Sequence, residues 1–163
     1  MLDEDHSGNS NRAGFSITLL DAEHKGVEIG FQSDRIFAQH DGTTGPMFTA
    51  AENTTSAAHI GALGSFNTWE LQVNAGGYAL TRGGAAVLAG ALRDYSAYTG
   101  LGQAAYDSTS FLFVGDNTSS AGSIFTLQYL AITTAPVPEP SAYALLLAGL
   151  ALVGAGARRR RLP

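Results

Sequence analysis

Residues 69–89 read WELQVNAGGYALTRGGAAVLA, and their pattern is the strongest indication of the fold class. In its first part Trp69, Leu71 and Val73 alternate with polar residues, which is the period of a half-buried β-strand. Two Gly-Gly pairs then turn the chain, as glycine does in tight hairpins. Three short strands joined by glycine turns predict an antiparallel meander, with strands at 69–73, 78–81 and 85–89.

The same alternation continues on both sides of this stretch. Phe15, Ile17 and Leu19 share one face of a predicted strand, and the uncharged run at 111–115 is interpreted as a strand covered on both faces. Convincing helical periodicity is absent from residues 13–134. These residues therefore predict one all-β domain, in which two antiparallel sheets pack as a sandwich or jelly roll. The remaining predicted strands lie at 15–19, 27–31, 35–39, 47–50, 111–115 and 124–132.

The start of the chain predicts little regular structure. Residues 1–12 are polar and are interpreted as a lead-in loop. They contain no basic and apolar secretory leader. We therefore expect either a start assigned too late or a fragment, with the first strands of the domain truncated.

The end of the chain has three features in a fixed order. Pro138 and Pro140 flank Glu139 and cannot lie inside a helix. Residues 141–157 carry no charge and predict one membrane helix, about 26 Å long at the α-helical rise. An arginine cluster follows and predicts the cytoplasmic side of the span. The cluster consists of Arg158, Arg159, Arg160 and Arg161.

This order resembles the PEP-CTERM sorting signal of Gram-negative bacteria. The resemblance covers about residues 137–163, within a predicted sorting-signal segment at 135–163, and rests on Val137, Pro138, Glu139 and Pro140, the apolar span and the arginine cluster. It implies a precursor in the inner membrane, processing by an exosortase-like membrane protease, and export to the cell surface or extracellular matrix. The alternative is an ordinary C-terminal anchor with a coincidental Pro-Glu-Pro. In either case the tail does not reveal what the body does.

Composition excludes several classes of function. The chain has no cysteine, so it has no disulfide framework, thiolate metal site or cysteine nucleophile. Residues 1–137 contain five basic and thirteen acidic residues, a net charge of −8 with histidine neutral. An acidic body without a basic stripe indicates that nucleic acid is not a partner.

A second resemblance concerns the body. The order of its strands and turns is similar to the concanavalin A-like (LamG-type) jelly roll over residues 12–134. The resemblance is carried by the segments Arg12-Ala13-Gly14-Phe15-Ser16, 26–31, 80–92 and 113–121. Such folds include lectins, glycan-binding modules and glucanases, so the resemblance points toward extracellular polymers without fixing an activity.

The candidate chemistry is sparse. A glycosidase needs two carboxyl groups about 5–10 Å apart, whereas Glu28 and Glu70 stand alone on their strands and are predicted to face outward. No enzyme is therefore expected, and no metal is expected at the four scattered histidines. Asp116, Asn117 and neighbouring hydroxyls offer oxygen ligands that calcium prefers. They are equally typical of Asx turns, so no cofactor is expected and calcium remains an alternative.

Three polar loops, 40–46, 93–108 and 116–122, are expected to meet at one rim of the sandwich. Their tyrosines could stack on sugar rings and their amides and carboxylates could bind hydroxyls. We predict a non-catalytic body that binds glycans or exopolysaccharide. A purely structural matrix protein is the main alternative, and a glycoside hydrolase the next. The candidate ligand-binding residues are Arg93, Asp94, Tyr95, Tyr98, Tyr106, Asp116 and Asn117.

Overall fold

A computed structural model describes residues 1–6, 11–100, 103–134, 146 and 149–151. The chain divides into two compact units, Met1–Gln128 and Tyr129–Pro163. Of the predicted membrane helix at 141–157, only residues 146 and 149–151 are described, and they are helical. Among all the described residues, no helix has the length and apolar character needed to cross a bilayer.

The described residues of the first unit form short strands and two single helical turns. In chain order these elements are β1 (Leu2–Asp5), β2 (Phe15–Leu20), β3 (Lys25–Gln32), β4 (Arg35–Gln39), β5 (Ala50–Thr54), α1 (Ala57–Ile60), β6 (Trp69–Asn74), β7 (Gly77–Arg82), β8 (Ala85–Gly90), β9 (Arg93–Asp94), α2 (Gln103–Tyr106), β10 (Phe111–Gly115) and β11 (Ser123–Phe125).

The described strands form three antiparallel sheets, whereas two were predicted. The large sheet has the order β10-β2-β3-β4-β5, and β9 pairs with one end of β3. The small sheet is the predicted meander β6-β7-β8, and β1 pairs with β11. The predicted all-β class is therefore confirmed, whereas the jelly-roll connectivity stays a prediction.

The main core lies on one face of the large sheet, where the small sheet packs. Val27, Ile29 and Phe31 alternate along β3, and each is at most 2% exposed. Trp69 of β6 packs edge-on against Phe31, with 5.5 Å between ring centroids, which is the core position expected from its phase with Leu71. The other buried members of this core are Ile36, Ala38, Leu63, Tyr78, Leu80 and Leu88.

Several predicted boundaries are wrong. The lead-in contains β1, because Leu2 pairs with Phe125 of β11 and ties the chain start to the body. The strand expected at 47–50 begins only at Ala50. The long final strand expected at 124–132 is shorter, because β11 spans only Ser123–Phe125.

The run at 111–115 is a strand, but it is not covered on both faces. It forms β10 at the outer edge of the large sheet, and residues 111–114 are all half-buried. Its continuous apolar character therefore has a different cause from burial inside a sheet.

Candidate functional site

Glu28 faces away from the main core, as its position between Val27 and Ile29 requires in a strand. It is nevertheless only 3% exposed, so its predicted outward and solvated position is wrong. The chain just before β2, the turn at α2 and the loop after β10 cover this face of the sheet. Glu70 of β6, by contrast, is exposed as predicted.

Burial of Glu28 is compensated by a cation and a hydroxyl. Arg12 Nη1 lies 3.6 Å from Glu28 Oε1, and both side chains are almost fully buried. The Tyr106 hydroxyl donates a short hydrogen bond to Glu28 Oε2 and accepts one of 3.3 Å from Arg12 Nη1. A buried charge is tolerated only with such partners. We call Arg12, Glu28, Gln39, Tyr106 and Asn117 the Arg12 cluster.

The other two members of the cluster satisfy its remaining polar groups. Arg12 Nη2 donates to Asn117 Oδ1 at 2.8 Å. The Gln39 amide is assigned the orientation that satisfies both its nitrogen and its oxygen, in which it donates to Glu28 Oε1 and accepts from the Phe48 N–H, each at 3.1 Å. The cluster therefore joins three distant segments to one face of the large sheet. They are the chain before β2, the turn at α2 and the loop after β10.

Aromatic rings close the cluster on its outer side. The Arg12 guanidinium lies 4.5 Å from the centroid of the Phe48 ring, a cation–π distance. Phe48 meets Tyr98 edge-on at 6.2 Å, and Tyr98 meets Tyr106 edge-on at 5.5 Å. Tyr106 stacks on Tyr95 at 4.9 Å. Phe48 and Tyr98 are half-buried, whereas Tyr95 and Tyr106 are buried.

The buried phenols are held in their neutral form. Burial raises the pKa of Tyr106, and the negative charge of Glu28 raises it further. The pKa of Tyr95 is raised by burial and by the charge of Glu28. Within the described residues, the Tyr95 hydroxyl has no hydrogen-bond partner. These rings therefore contribute packing and, near neutral pH, neutral hydroxyls.

A second charged group lies where β5 approaches β8. Arg93 Nη2 donates to both carboxylate oxygens of Glu52 at 2.6 Å, and the Tyr78 hydroxyl donates to Glu52 Oε2 at 2.9 Å. A Cβ at Gly90 would stand 2.5 Å from Glu52 Oε1, so a side chain there would displace the carboxylate from this position. Burial and the bond to Glu52 raise the pKa of Tyr78. The group clamps the large sheet to the small one.

Asp41 organises the loop after β4. Its Oδ1 accepts from the N–H groups of Thr43 and Thr44, at 2.8 and 2.7 Å, and its Oδ2 accepts from the Asp94 N–H at 3.0 Å. Burial alone would raise the pKa of Asp41, but these hydrogen bonds outweigh it and the pKa is lowered. A carboxylate thus anchors the first predicted loop to the second.

The structure brings the three predicted loops together, but mostly for internal contacts. Asn117 binds Arg12, and Gly42 of the first loop lies against the Tyr98 ring. Arg93 is occupied by Glu52, and the burial of Tyr95 and Tyr106 leaves neither ring a free face for a sugar. Placing those two tyrosines at a ligand surface is therefore wrong. Asp94 and Asp116 are exposed, and Tyr98 is half-buried.

The oxygen ligands expected for calcium are also partly occupied. Asn117 Oδ1 accepts from Arg12, a cation that would repel calcium beside it. Asp116 Oδ1 accepts from the Thr118 N–H at 2.9 Å, which is an Asx turn. Over the described part of the chain, no three His, Cys, Asp or Glu side chains are grouped as a metal site would need.

The residues that organise this region were missed in the sequence. Arg12 was assigned to the lead-in, and neither Gln39, Phe48 nor Glu52 was singled out. One signal was available for Arg12: it is a charged residue just before an apolar strand, in a body with only five basic residues. The polar partners of Glu28 leave no such local signal.

Fold and site together define a small all-β body whose buried charges hold its loops in place. The sorting residues, Val137, Pro138, Glu139, Pro140, Arg158, Arg159, Arg160 and Arg161, lie outside the described residues. Residues 136–161 match the PEP-CTERM protein-sorting motif. A search of curated proteins gives no match, and a search of solved structures gives none.

The match indicates how the chain is processed and where it is exported. A PEP-CTERM signal implies processing by an exosortase, a membrane protease, and export to the cell surface. It also fits a membrane-anchored precursor in a Gram-negative bacterium.

Proposed function

We propose that this protein is a non-catalytic structural component of the cell surface or extracellular matrix. The observation that carries the proposal is the use made of the loop residues. Arg93, Tyr95, Tyr106 and Asn117 have the side-chain types of a ligand site, yet their contacts lie inside the body. With the sorting motif, this supports a body that is delivered to the surface and serves there as a stable module.

The positions of Glu28 and Glu52 argue against glycoside hydrolysis by this pair. Glu28 points to one face of the large sheet. Glu52, opposite Ala38 in the ladder, shares the other face with Ile29. Two carboxylates on opposite faces cannot act on one glycosidic bond from its two sides. Release of reducing sugar from matrix polysaccharide by the purified chain would contradict this part of the proposal.

The sorting step has a direct test. We expect Pro138→Ala with Glu139→Ala to leave an unprocessed precursor in the inner membrane, because the exosortase no longer recognises the sorting motif. The protein is detected through an epitope tag on its N-terminal side. Fractionation and mass spectrometry measure its location and mass. The matched control is Thr133→Ala with Thr134→Ala, just outside the matched residues. Unchanged location and mass in the Pro138 and Glu139 variant would refute the proposal.

A second candidate function is weak glycan binding at the rim where the three loops meet. The specific observation is the half-buried pair Phe48 and Tyr98, whose rings meet edge-on at 6.2 Å, together with the exposed Asp94 in the same loop as Tyr98. Aromatic surface beside polar groups is what a sugar ring requires. No cofactor is proposed, although calcium dependence is worth measuring because Asp116 is exposed.

Binding of the full chain to matrix polysaccharide, with and without calcium, tests this candidate. We expect Tyr98→Ala to lower retention on a polysaccharide column at least about tenfold, the loss of one stacking contact. Phe66→Ala removes another exposed aromatic ring, 48% exposed, and is the control. Equal retention of both variants and the parent chain would leave the structural role as the better account.

A further inference from the structure

One edge of the large sheet is open. β10 pairs with β2 on one side, and no second ladder partner of β10 occurs among the described residues. The outer N–H and C=O groups of such a strand are a template for another strand. Open edges are common in β-sheets, so the side chains of the edge strand determine whether another strand can pair with it.

The side chains of β10 do not protect it. Natural edge strands are usually blunted by charges, proline or bulges. β6, an edge strand of the small sheet, alternates its apolar residues with exposed Glu70, Gln72 and Asn74. β10 has the sequence FLFVG, and its first four side chains are all half-buried. Its apolar run, which burial inside a sheet does not explain, suits a strand that acquires a neighbour.

The same chain contains a segment with the complementary character. Residues 127–132 read LQYLAI, without charge or proline, and β-prone apolar residues dominate. The structure shows no secondary structure there. Four large side chains are strongly exposed: Leu127 at 52%, Tyr129 at 77%, Leu130 at 54% and Ile132 at 67%. Exposed apolar side chains in such density mark an interaction segment.

We propose that β10 of one copy takes up residues 127–132 of a second copy as an added strand. The segment and the edge have similar lengths, six and five residues. Charge selects this pairing, because the body carries a net charge of −8 and copies repel each other elsewhere. The edge and the segment are uncharged, so they can approach without that repulsion. Repetition of this contact links copies head to tail.

This inference extends the proposed structural role but does not rest on it, because the pairing depends only on the two strands. Its test uses the full chain purified in detergent, so it is independent of export. Failure of the sorting test would not contradict the pairing proposal. Failure of the pairing test would not contradict the sorting proposal.

The absence of cysteine allows a clean cross-linking experiment. One tagged copy carries Leu112→Cys on β10. It is mixed with a differently tagged copy that carries a single cysteine at 127, 128, 129, 130, 131 or 132, and disulfides are formed by mild oxidation. Because strand side chains alternate between faces, we expect mixed dimers at alternate positions, at least about threefold above the positions between them. Salt should raise the yield by screening the acidic bodies.

Two controls make the result decisive. Gln72→Cys on the protected edge strand β6 replaces Leu112→Cys in the same series and should give only background dimers. If Leu112→Cys does not fold, Val114→Cys on the same face of β10 takes its place. A yield equal to the Gln72→Cys background at all six positions overturns the proposal. So does a disulfide that forms only within one chain when both cysteines are placed in it.

Discussion

Arg12 and Glu28 hold opposite charges in a part of the body from which solvent is largely excluded. The attraction between them offsets the cost of removing both from water. Tyr106 and Asn117 complete the hydrogen bonding of the pair. Removing one charge alone would therefore leave the other buried without its partner.

Arg12→Met is expected to lower the free energy of unfolding by about 3–5 kcal/mol, because it leaves Glu28 buried without a cation. Denaturant unfolding of the full chain in detergent, followed by tryptophan fluorescence, measures the loss. Adding Glu28→Gln to this variant should restore part of the stability, since a neutral amide leaves no buried charge.

Lys25→Ala is the control for removal of a cation. Lys25 pairs with Glu23 on the surface, and an exposed pair contributes little. An Arg12→Met variant as stable as Lys25→Ala would show that the Arg12 cluster contributes little to the free energy of unfolding.

No residue-scale pattern in the sequence could have predicted this pair. Glu28 alternates with Val27 and Ile29, which is equally consistent with a solvated outer face. Its burial depends on Tyr106, 78 positions away, and on the chain before β2. Side chains that meet through such long separations leave no periodic trace.

At the scale of elements, strands with alternating or wholly apolar residues were predictable. β4 at Arg35–Gln39 and β10 at Phe111–Gly115 have the predicted bounds. β2, β3 and the meander β6-β7-β8 differ only at their ends. In each case the strand signal lies within the strand itself.

Elements whose extent is set by a partner were not predictable. β1 is polar and exists because Leu2 and Glu4 find β11. β11 in turn stops at Phe125, although the residues after it keep an apolar β-type composition. α1 and α2 span four residues each, too few for helical periodicity to appear. The position of β10 at an edge likewise follows from topology rather than composition.

At the scale of the whole molecule, the protein carries a net negative charge. Several of its ionisable groups fit the folded structure in only one protonation state. Asp41 binds its N–H partners as a carboxylate, and its pKa is lowered from 3.8. Its contribution to stability is therefore present above pH 3.8 and is lost as the pH falls through the lower folded value. Acid should destabilise the protein partly through the loop after β4.

The buried tyrosines limit stability from the alkaline side. The pKa values of Tyr78, Tyr95 and Tyr106 are all raised above 10.0, first by burial and then by neighbouring carboxylates. A raised folded pKa gives stability that is present below pH 10 and is lost as the pH rises above it.

We therefore expect the free energy of unfolding to be nearly flat between about pH 5 and pH 9 and to fall on both sides, because the lowered carboxylate and raised phenol pKa values lie outside that range. Denaturant titrations at each pH measure it. Asp41→Asn should flatten the acid limb, with the exposed Asp116→Asn as control. On the alkaline side, phenolate absorbance from Tyr95 and Tyr106 should appear only with unfolding, whereas Tyr129→Phe, a change at an exposed ring, should leave the unfolding pH unchanged. Phenolate formed by all tyrosines in a still-folded chain would contradict the buried positions on which the Arg12 cluster depends.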